Sequence, residues 1–264
     1  MWYEYVWEKQ SLSQLSKKYG KDHKWIQSQF EKHTVKRNNP LPYSPQPINL
    51  LIDFTKLDSD YGALVFRSYN LKINLAWMIR ETERINDYLE GFNFLQEKGW
   101  TILSITIDGK PGARELFPDI PVQMCQWHQQ KIIFRYITHN PKLKANIELQ
   151  NLTLQLCKLS EKDFIERLND WKVKWQNFLE EKAFNPETKR WHYIHRRTRS
   201  AVRSFERNLD YLFVYQKYPE LKIPNTNNSL EGTFSQMKVK LNNHRGITNI
   251  RKRKLIDELL LGQK

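Results

Sequence analysis

Residues 48–55 read INLLIDFT, and residues 100–109 read WTILSITIDG. Each stretch is a short apolar run with an acid at or near its end, Asp53 in the first and Asp108 in the second. Runs of this length and composition predict buried β-strands. A carboxylate in such a strand costs several kcal/mol unless it is paired or binds a metal. The two stretches therefore predict a sheet in which Asp53 and Asp108 are paired or bind a metal.

Further strands and a helix are predicted around these two runs. Three more apolar stretches predict strands, at residues 62–69, 73–81 and 121–125. Residues 83–99 predict an amphipathic helix that Gly99 closes. The resulting order is three strands, a helix, a strand, a short helix and a strand. This order predicts an α/β fold with a mixed sheet flanked by helices.

The N-terminal residues predict a pair of helices joined by a turn at Gly20, with Asp22 capping the second helix. The apolar positions expected to face inward are Leu12, Leu15, Tyr19, Trp25, Ile26 and Phe30. Helix, glycine turn and helix is the pattern of a helix-turn-helix DNA-binding unit, and also of an ordinary helical hairpin. In the first interpretation, Lys24 and Gln27 belong to the face that enters the DNA groove.

The domain organisation predicted from these patterns has five segments. They are a helix-turn-helix unit (1–37), a linker (38–47), the first part of the core (48–138), a helical insertion (139–222) and the last part of the core with a basic tail (223–264). The insertion is expected to be all-α, because Trp, Lys, Arg and Glu are frequent there and glycines are few.

Charge indicates the kind of partner. The chain has 43 Lys and Arg against 29 Asp and Glu, a formal net charge of +14. A positive net charge of this size favours a polyanionic partner. Nucleic acid is the first candidate and an anionic membrane surface is the second, and a basic soluble protein without such a partner is the alternative. Two cysteines make no disulfide framework, and no run approaches the roughly 20 apolar residues of a membrane span. We therefore expect a soluble, cytoplasmic protein.

A third carboxylate extends the pattern of Asp53 and Asp108. Residues 226–244, TNNSLEGTFSQMKVKLNNH, predict a helix whose Glu231 lies next to the apolar face. Singly, each acid is better explained as a cap, a salt-bridge partner or a solvated charge. Together, two acids on strand ends and one on a helix suit a site for divalent cations, and hard oxygen ligands favour Mg²⁺.

These residues resemble the RNase H-like core of DDE transposases, and more closely the Mutator-like superfamily of insertion-sequence transposases. In that group the second Asp is followed by Gly and then by a C-x-x-H motif. This chain has Asp108-Gly109 and then Cys125-Gln126-Trp127-His128. An Asn-rich approach to the Glu helix and a basic tail complete a resemblance over roughly residues 46–258. Some relatives carry a Cys-rich zinc module ahead of the helix-turn-helix, and this sequence begins at the helix-turn-helix.

The resemblance implies that Asp53, Asp108 and Glu231 are the catalytic triad and bind two Mg²⁺ or Mn²⁺ ions. Asp53 would bridge both ions, with Asp108 on one and Glu231 on the other, and water or a DNA 3′-hydroxyl would be the nucleophile. Cys125 and His128 would be the C-x-x-H pair of that family. Two residues are only half of a four-ligand zinc site, so a buried structural pair is the favoured interpretation and metal binding is the alternative. The implied partners are transposon ends and target DNA, bound by a homodimer near the prokaryotic nucleoid and without a membrane.

Basic residues cluster where a DNA path needs them, in residues 189–207 and in the tail after residue 237. The predicted DNA-binding residues there are Arg196, Arg197, Arg199, Arg203, Lys238, Lys240, His244 and Arg245. Such residues contact phosphates, although a solvated basic face would have the same composition. Trp171, Trp175 and Trp191 are expected to pack in the core, with base stacking as the alternative.

Three other functions remain open at this point. A metal-dependent nuclease of the same fold would cut DNA without joining it. A transposase-derived DNA-binding protein would have lost catalysis, which the intact triad argues against. A basic membrane-surface or scaffold protein would leave the acids on two apolar strands without a purpose.

Overall fold

The computed structural model describes residues 1–35, 43–244 and 247–262. The chain forms two compact units. The first unit comprises Met1–Ile102 and Asn228–Lys264, and the second comprises Leu103–Asn227.

Five strands form one mixed sheet. They are β1 (Pro47–Lys56), β2 (Gly62–Ser68), β3 (Ile73–Arg80), β4 (Thr101–Ile107) and β5 (Val122–Met124). Their order in the sheet is β3-β2-β1-β4-β5. The pairs β1–β2 and β2–β3 are antiparallel, whereas β4 and β5 are parallel. The predicted α/β class with a mixed sheet flanked by helices is therefore confirmed.

The helices lie before, between and after these strands. In the first unit they are α1 (Trp2–Val6), α2 (Leu12–Tyr19), α3 (His23–Lys32), α4 (Ile85–Glu97), α11 (Asn228–Asn243) and α12 (Asn249–Leu261). In the second unit they are α5 (Gln126–Ile137), α6 (Lys144–Gln155), α7 (Glu161–Lys174), α8 (Gln176–Glu180), α9 (Arg196–Leu212) and α10 (Val214–Lys217). No helix in the described ranges is both long and apolar enough to cross a bilayer.

The strands of the first unit are buried because apolar side chains cover both of their faces. Every residue of β2 is buried, and β1 is buried from Ile48 to Asp53. Helix α4 approaches the sheet closely at Gly91, where a Cβ atom would lie only 2.1 Å from the ring of Phe66. A glycine is needed at this position because any side chain would push the helix off the strand.

The N-terminal helices share the hydrophobic core of the first unit. Their buried side chains belong to the same cluster as residues of the sheet and of α11 and α12: Leu15, Ile26, Phe30, Leu51, Val65, Met237 and Leu259. The predicted turn and cap are confirmed, since Gly20 is left-handed at φ 63° and Asp22 accepts from the backbone N–H of Trp25. α1–α3 thus form part of a larger packed body.

Two predicted inward-facing residues are exposed instead. Trp25 is 40% and Tyr19 is 38% exposed, so the prediction for these two side chains is wrong. The helical period places them at the edge of the apolar face. There the Nζ atom of Lys21 lies 5.7 Å from the centre of the Trp25 ring. The predicted segment boundaries stay a prediction, and residues 38–42 of the predicted linker lie outside the described residues.

The second unit has its own core around Phe164, Phe205 and Phe213. Its helices are joined by a small hairpin of β6 (Lys182–Asn185) and β7 (Arg190–Tyr193), so the expectation of an all-α insertion is wrong. Four-residue strands give too short an alternation to stand out in a sequence.

The tryptophans of the insertion lie in different surroundings. Trp171 is buried and its Nε1 donates to the carbonyl oxygen of Ala145, which confirms core packing. Trp175 is half-buried and donates to Glu148. Trp191 is 67% exposed on the hairpin, so core packing is wrong for this residue.

Candidate functional site

Asp53 lies in a buried strand of the first unit. It belongs to β1, stands opposite Val65 of β2 and is only 2% exposed. Its neighbours Ile52 and Phe54 are apolar, so the sequence forms a strand there for reasons unrelated to the acid. A carboxylate in such surroundings is costly, and the cost indicates a specific role.

Glu231 approaches Asp53 within the same unit. It lies in the first turn of α11, where Leu230 and Phe234 are buried and fix the helix against the core. A carboxylate oxygen of Glu231 and one of Asp53 lie within 4.8 Å of each other. Two ionised carboxylates at this separation repel, and a divalent cation between them would relieve the repulsion. The structure therefore brings together two of the three predicted ligands.

Asp108 follows β4 directly and lies in the second unit. Its Oδ1 accepts a hydrogen bond of 3.0 Å from the backbone N–H of Lys110, which fixes the carboxylate. Gly109 permits close packing beside it, since a Cβ there would lie 2.6 Å from Cε of Met124. A side chain at position 109 would therefore require the end of the Met124 side chain to move.

Asp108 lines a cavity of about 430 Å³, here called the Asp108 cavity. Its other lining residues are Gly109, Lys110, His128, Ile132, Arg135 and Tyr136. A carboxylate beside Lys110 and Arg135 can take part in binding a cation and a phosphate at the same place. The cavity therefore combines one acid with two cations.

The two residues of the C-x-x-H motif have different surroundings. Cys125 is buried, and its Sγ accepts from the backbone N–H of Asn227 at 3.2 Å. His128 is half-buried in α5 and lines the Asp108 cavity. The predicted structural role is compatible with the buried position of Cys125, whereas His128 lines an open cavity.

Sequence reasoning missed a set of polar contacts that fix the chain just before α11. Gln126 and Asn225 are bonded twice, by backbone N–H to carbonyl at 2.9 Å and by side-chain amides at 2.9 Å. Thr106 of β4 donates its hydroxyl to the carbonyl oxygen of Pro224 at 2.8 Å. The Asn-rich stretch was visible in the sequence, but its partners are about a hundred residues away. These contacts position the segment that leads into the Glu231 helix.

Some predicted DNA-binding residues are presented to solvent. Lys24, Arg196, Arg197, Arg203 and Lys238 are exposed. Gln27 of α3 is half-buried, as are Arg199 and Lys240. All eight positions keep the DNA-binding prediction open.

Some of these eight side chains also contact other groups of the protein. Arg199 donates to the carbonyl oxygen of Leu179 at 2.6 Å and lies 3.6 Å from the ring centre of Tyr193. Lys240 lies 3.8 Å over the ring of Trp7, and burial lowers its pKa. These two side chains contribute to packing, which was not expected.

The basic tail also has a structural role. Arg251 forms an ion pair with Glu31 at 2.7 Å, and Lys252 with Asp58. Lys254 donates to backbone carbonyls at the end of α3. These contacts attach α12 to α3 and to the loop between β1 and β2. Part of the positive charge of the tail is therefore already paired within the protein.

His244 differs from the sequence expectation. It is 5% exposed, and its ring lies 4.0 Å from that of Tyr5. A side chain so placed does not reach a phosphate, so its assignment as a DNA contact is corrected. Arg245, the neighbouring prediction, lies outside the described residues.

Burial of His244 predicts a pH dependence of stability. Desolvation lowers the pKa of His244 below its ordinary value of 6.5, so the unfolded chain binds a proton more readily than the folded one. We expect the free energy of unfolding to fall as the pH drops through about 6.5. Urea titrations at a series of pH values measure this, and His244→Phe should reduce the slope. An unchanged slope in that variant would assign the dependence to other groups.

No protein-family model matches the chain, and no curated protein matches it either.

Proposed function

We propose that this protein is a DNA transposase of the DDE type, with an RNase H-like core that cuts and joins DNA strands. The observation that carries the proposal is the approach of Asp53 and Glu231 to within 4.8 Å in the first unit. Two carboxylates from distant parts of the sequence that converge beside a buried strand are an arrangement that suits a bound cation.

The sheet topology supports the same proposal. Three antiparallel strands followed by a parallel pair, in the order β3-β2-β1-β4-β5, are compatible with an RNase H-like core. Asp53 lies in β1 and Asp108 directly follows β4, which are neighbours in that order. The N-terminal α2–turn–α3 is compatible with the helix-turn-helix that the sequence pattern predicts, and it adds an exposed basic side chain, Lys24.

The donor set fits Mg²⁺ or Mn²⁺. Asp53, Asp108 and Glu231 offer hard carboxylate oxygens, which these ions prefer over nitrogen or sulfur ligands. When bound, two such ions would lower the pKa of the attacking water or DNA 3′-hydroxyl and would stabilise the negative charge on the leaving oxygen. Asp53 and Glu231 would offer such ligands in the first unit, and Asp108, whose orientation is fixed by the Lys110 N–H, would offer one in the second.

The remaining residues of the Asp108 cavity would hold the DNA backbone. Lys110 and Arg135 line this cavity and carry the positive charge that a phosphodiester requires. His128 is within reach of the same space and can donate a hydrogen bond to a phosphate oxygen or a leaving group. No side chain need become covalently attached to DNA.

The proposal is tested by incubating the purified protein with DNA carrying candidate element ends in Mg²⁺, in Mn²⁺ and in EDTA. We expect strand cleavage that leaves 3′-hydroxyl ends, joining of those ends to a second DNA, and loss of both in EDTA. Cleavage without joining would instead indicate a nuclease of the same fold. DNA binding without either reaction would indicate a transposase-derived DNA-binding protein.

A further inference from the structure

A second cavity adjoins the Asp108 cavity within the second unit. This cavity, called the α9 cavity, has a volume of about 510 Å³ and lies between the loop around residues 138–143 and the start of α9. Tyr136 lines both cavities. The two cavities therefore meet at Tyr136.

The α9 cavity has a one-sided charge. Lys142, Arg196 and Arg197 line it, and none of the described residues lining it is acidic. Arg197 is held in place, because its Nη2 donates to the carbonyl oxygen of Arg135 at 2.5 Å. Lys142 and Arg196 are exposed at the same cavity. Positive charge concentrated in a concave space indicates an anionic ligand.

The size of the cavity favours one strand over a duplex. A space of about 510 Å³ is in the range of pockets that enclose part of a flexible ligand. A duplex would lie across its rim. Cations that track a backbone beside an aromatic face are typical of sites for single-stranded nucleic acid.

We propose that the α9 cavity binds the backbone of the single DNA strand that extends from the Asp108 cavity. Lys142 and Arg196 contact its phosphates, and Tyr136 packs against the nucleotide that lies between the two cavities. This inference rests on the proposed function, because it takes the Asp108 cavity as the place where the strand is cut. It adds a binding site that Asp53, Asp108 and Glu231 do not line.

The test is DNA binding by the full chain in EDTA, so that no strand is cut during the measurement. Fluorescence anisotropy compares a blunt mixed-sequence duplex with the same duplex carrying a single-stranded overhang. The test variant is Lys142→Ala with Arg196→Ala. The matched control is Lys158→Ala with Lys162→Ala, which removes two exposed cations of the same unit that line neither cavity.

For the native protein we expect tighter binding of the overhang DNA than of the blunt duplex. The test variant should lose about tenfold in affinity for the overhang DNA, as expected for the loss of two solvent-exposed ion pairs with phosphates. The slope of log affinity against log salt should fall by about 1.4, or about 0.7 for each cation removed. Binding of the blunt duplex should change no more than in the control.

Equal losses in the test and control variants, or no gain from the overhang in the native protein, would overturn the inference. The conservative variant Lys142→Arg with Arg196→Lys keeps both positive charges and separates an effect of charge from an effect on folding. It should bind overhang DNA with the same salt slope as the native protein. A reduced salt slope in this variant would also overturn the proposed site. Mg²⁺-dependent cleavage is measured separately. If cleavage occurs without any overhang effect, only this inference fails. If the overhang effect occurs without cleavage, the proposed function fails.

Discussion

Replacing Asp108 with Asn is expected to lower the rate of DNA strand cleavage by about 10³-fold or more, and strand joining with it. The amide keeps the shape of the carboxylate and can still accept from the Lys110 N–H. It removes the negative charge that a divalent cation requires. Loss of about 4 kcal/mol of transition-state stabilisation corresponds to about 10³-fold in rate.

Cleavage and joining rates are measured together with DNA binding in EDTA. Binding by Asp108→Asn should equal that of the native protein, because removing an acid leaves the phosphate contacts in place. Asp119→Asn is the matched control, since Asp119 is exposed in the same unit and lines no described cavity near Asp108. An active Asp108→Asn protein would rule out the assigned role of this residue.

Replacing Glu231 with Gln is expected to lower activity by a similar factor while making the metal-free protein more stable. The carboxylates of Asp53 and Glu231 repel at a separation within 4.8 Å. At an effective dielectric constant of about 20, two full charges 4.8 Å apart repel by about 3.5 kcal/mol, and solvent screening at the half-exposed Glu231 reduces this to about 1 kcal/mol. A gain of that size raises Tm by about 2–4 °C.

The same variant should lose its response to metal. Mg²⁺ binding to the native fold should raise Tm with concentration, since a ligand that binds only the folded state stabilises it. Glu231→Gln should show a much smaller rise. Glu97→Gln, an exposed glutamate of the same unit, serves as control. A Glu231→Gln protein that is less stable without metal would show that Glu231 has a structural role instead.

The sequence was sufficient to predict structural features that depend on neighbouring residues. The apolar runs around Asp53 and Asp108 predict the two strands, because side chains covering both faces of a strand leave a continuous apolar sequence. The turn at Gly20 and the cap at Asp22 were predicted for a similar reason. A left-handed turn and an N-terminal cap depend on a residue and its near neighbours.

The sequence was insufficient where distant residues decide. The pairing of Arg251 with Glu31 and of Lys252 with Asp58 joins residues about two hundred positions apart. From the sequence alone, these cations were interpreted as part of a DNA-binding tail. Burial of His244 against Tyr5 was hidden for the same reason, because only the packing of the first unit brings the two rings together.

The candidate site has both kinds of feature. Each carboxylate could be selected from its place in a strand or helix, but their convergence could not. The approach of Glu231 to Asp53 depends on how α11 packs against the core through Leu230 and Phe234. The position of His128 in the Asp108 cavity depends on the start of α5 after β5.

Binding of Mn²⁺ to the purified protein, followed by the loss of the electron paramagnetic resonance signal of the free ion, tests the central claim most directly. The native protein should bind Mn²⁺ saturably, and Mg²⁺ should compete for the site. Asp53→Asn should abolish this binding, because the variant removes a buried carboxylate that lies beside Glu231. Equal Mn²⁺ binding by the native protein and Asp53→Asn would contradict the account.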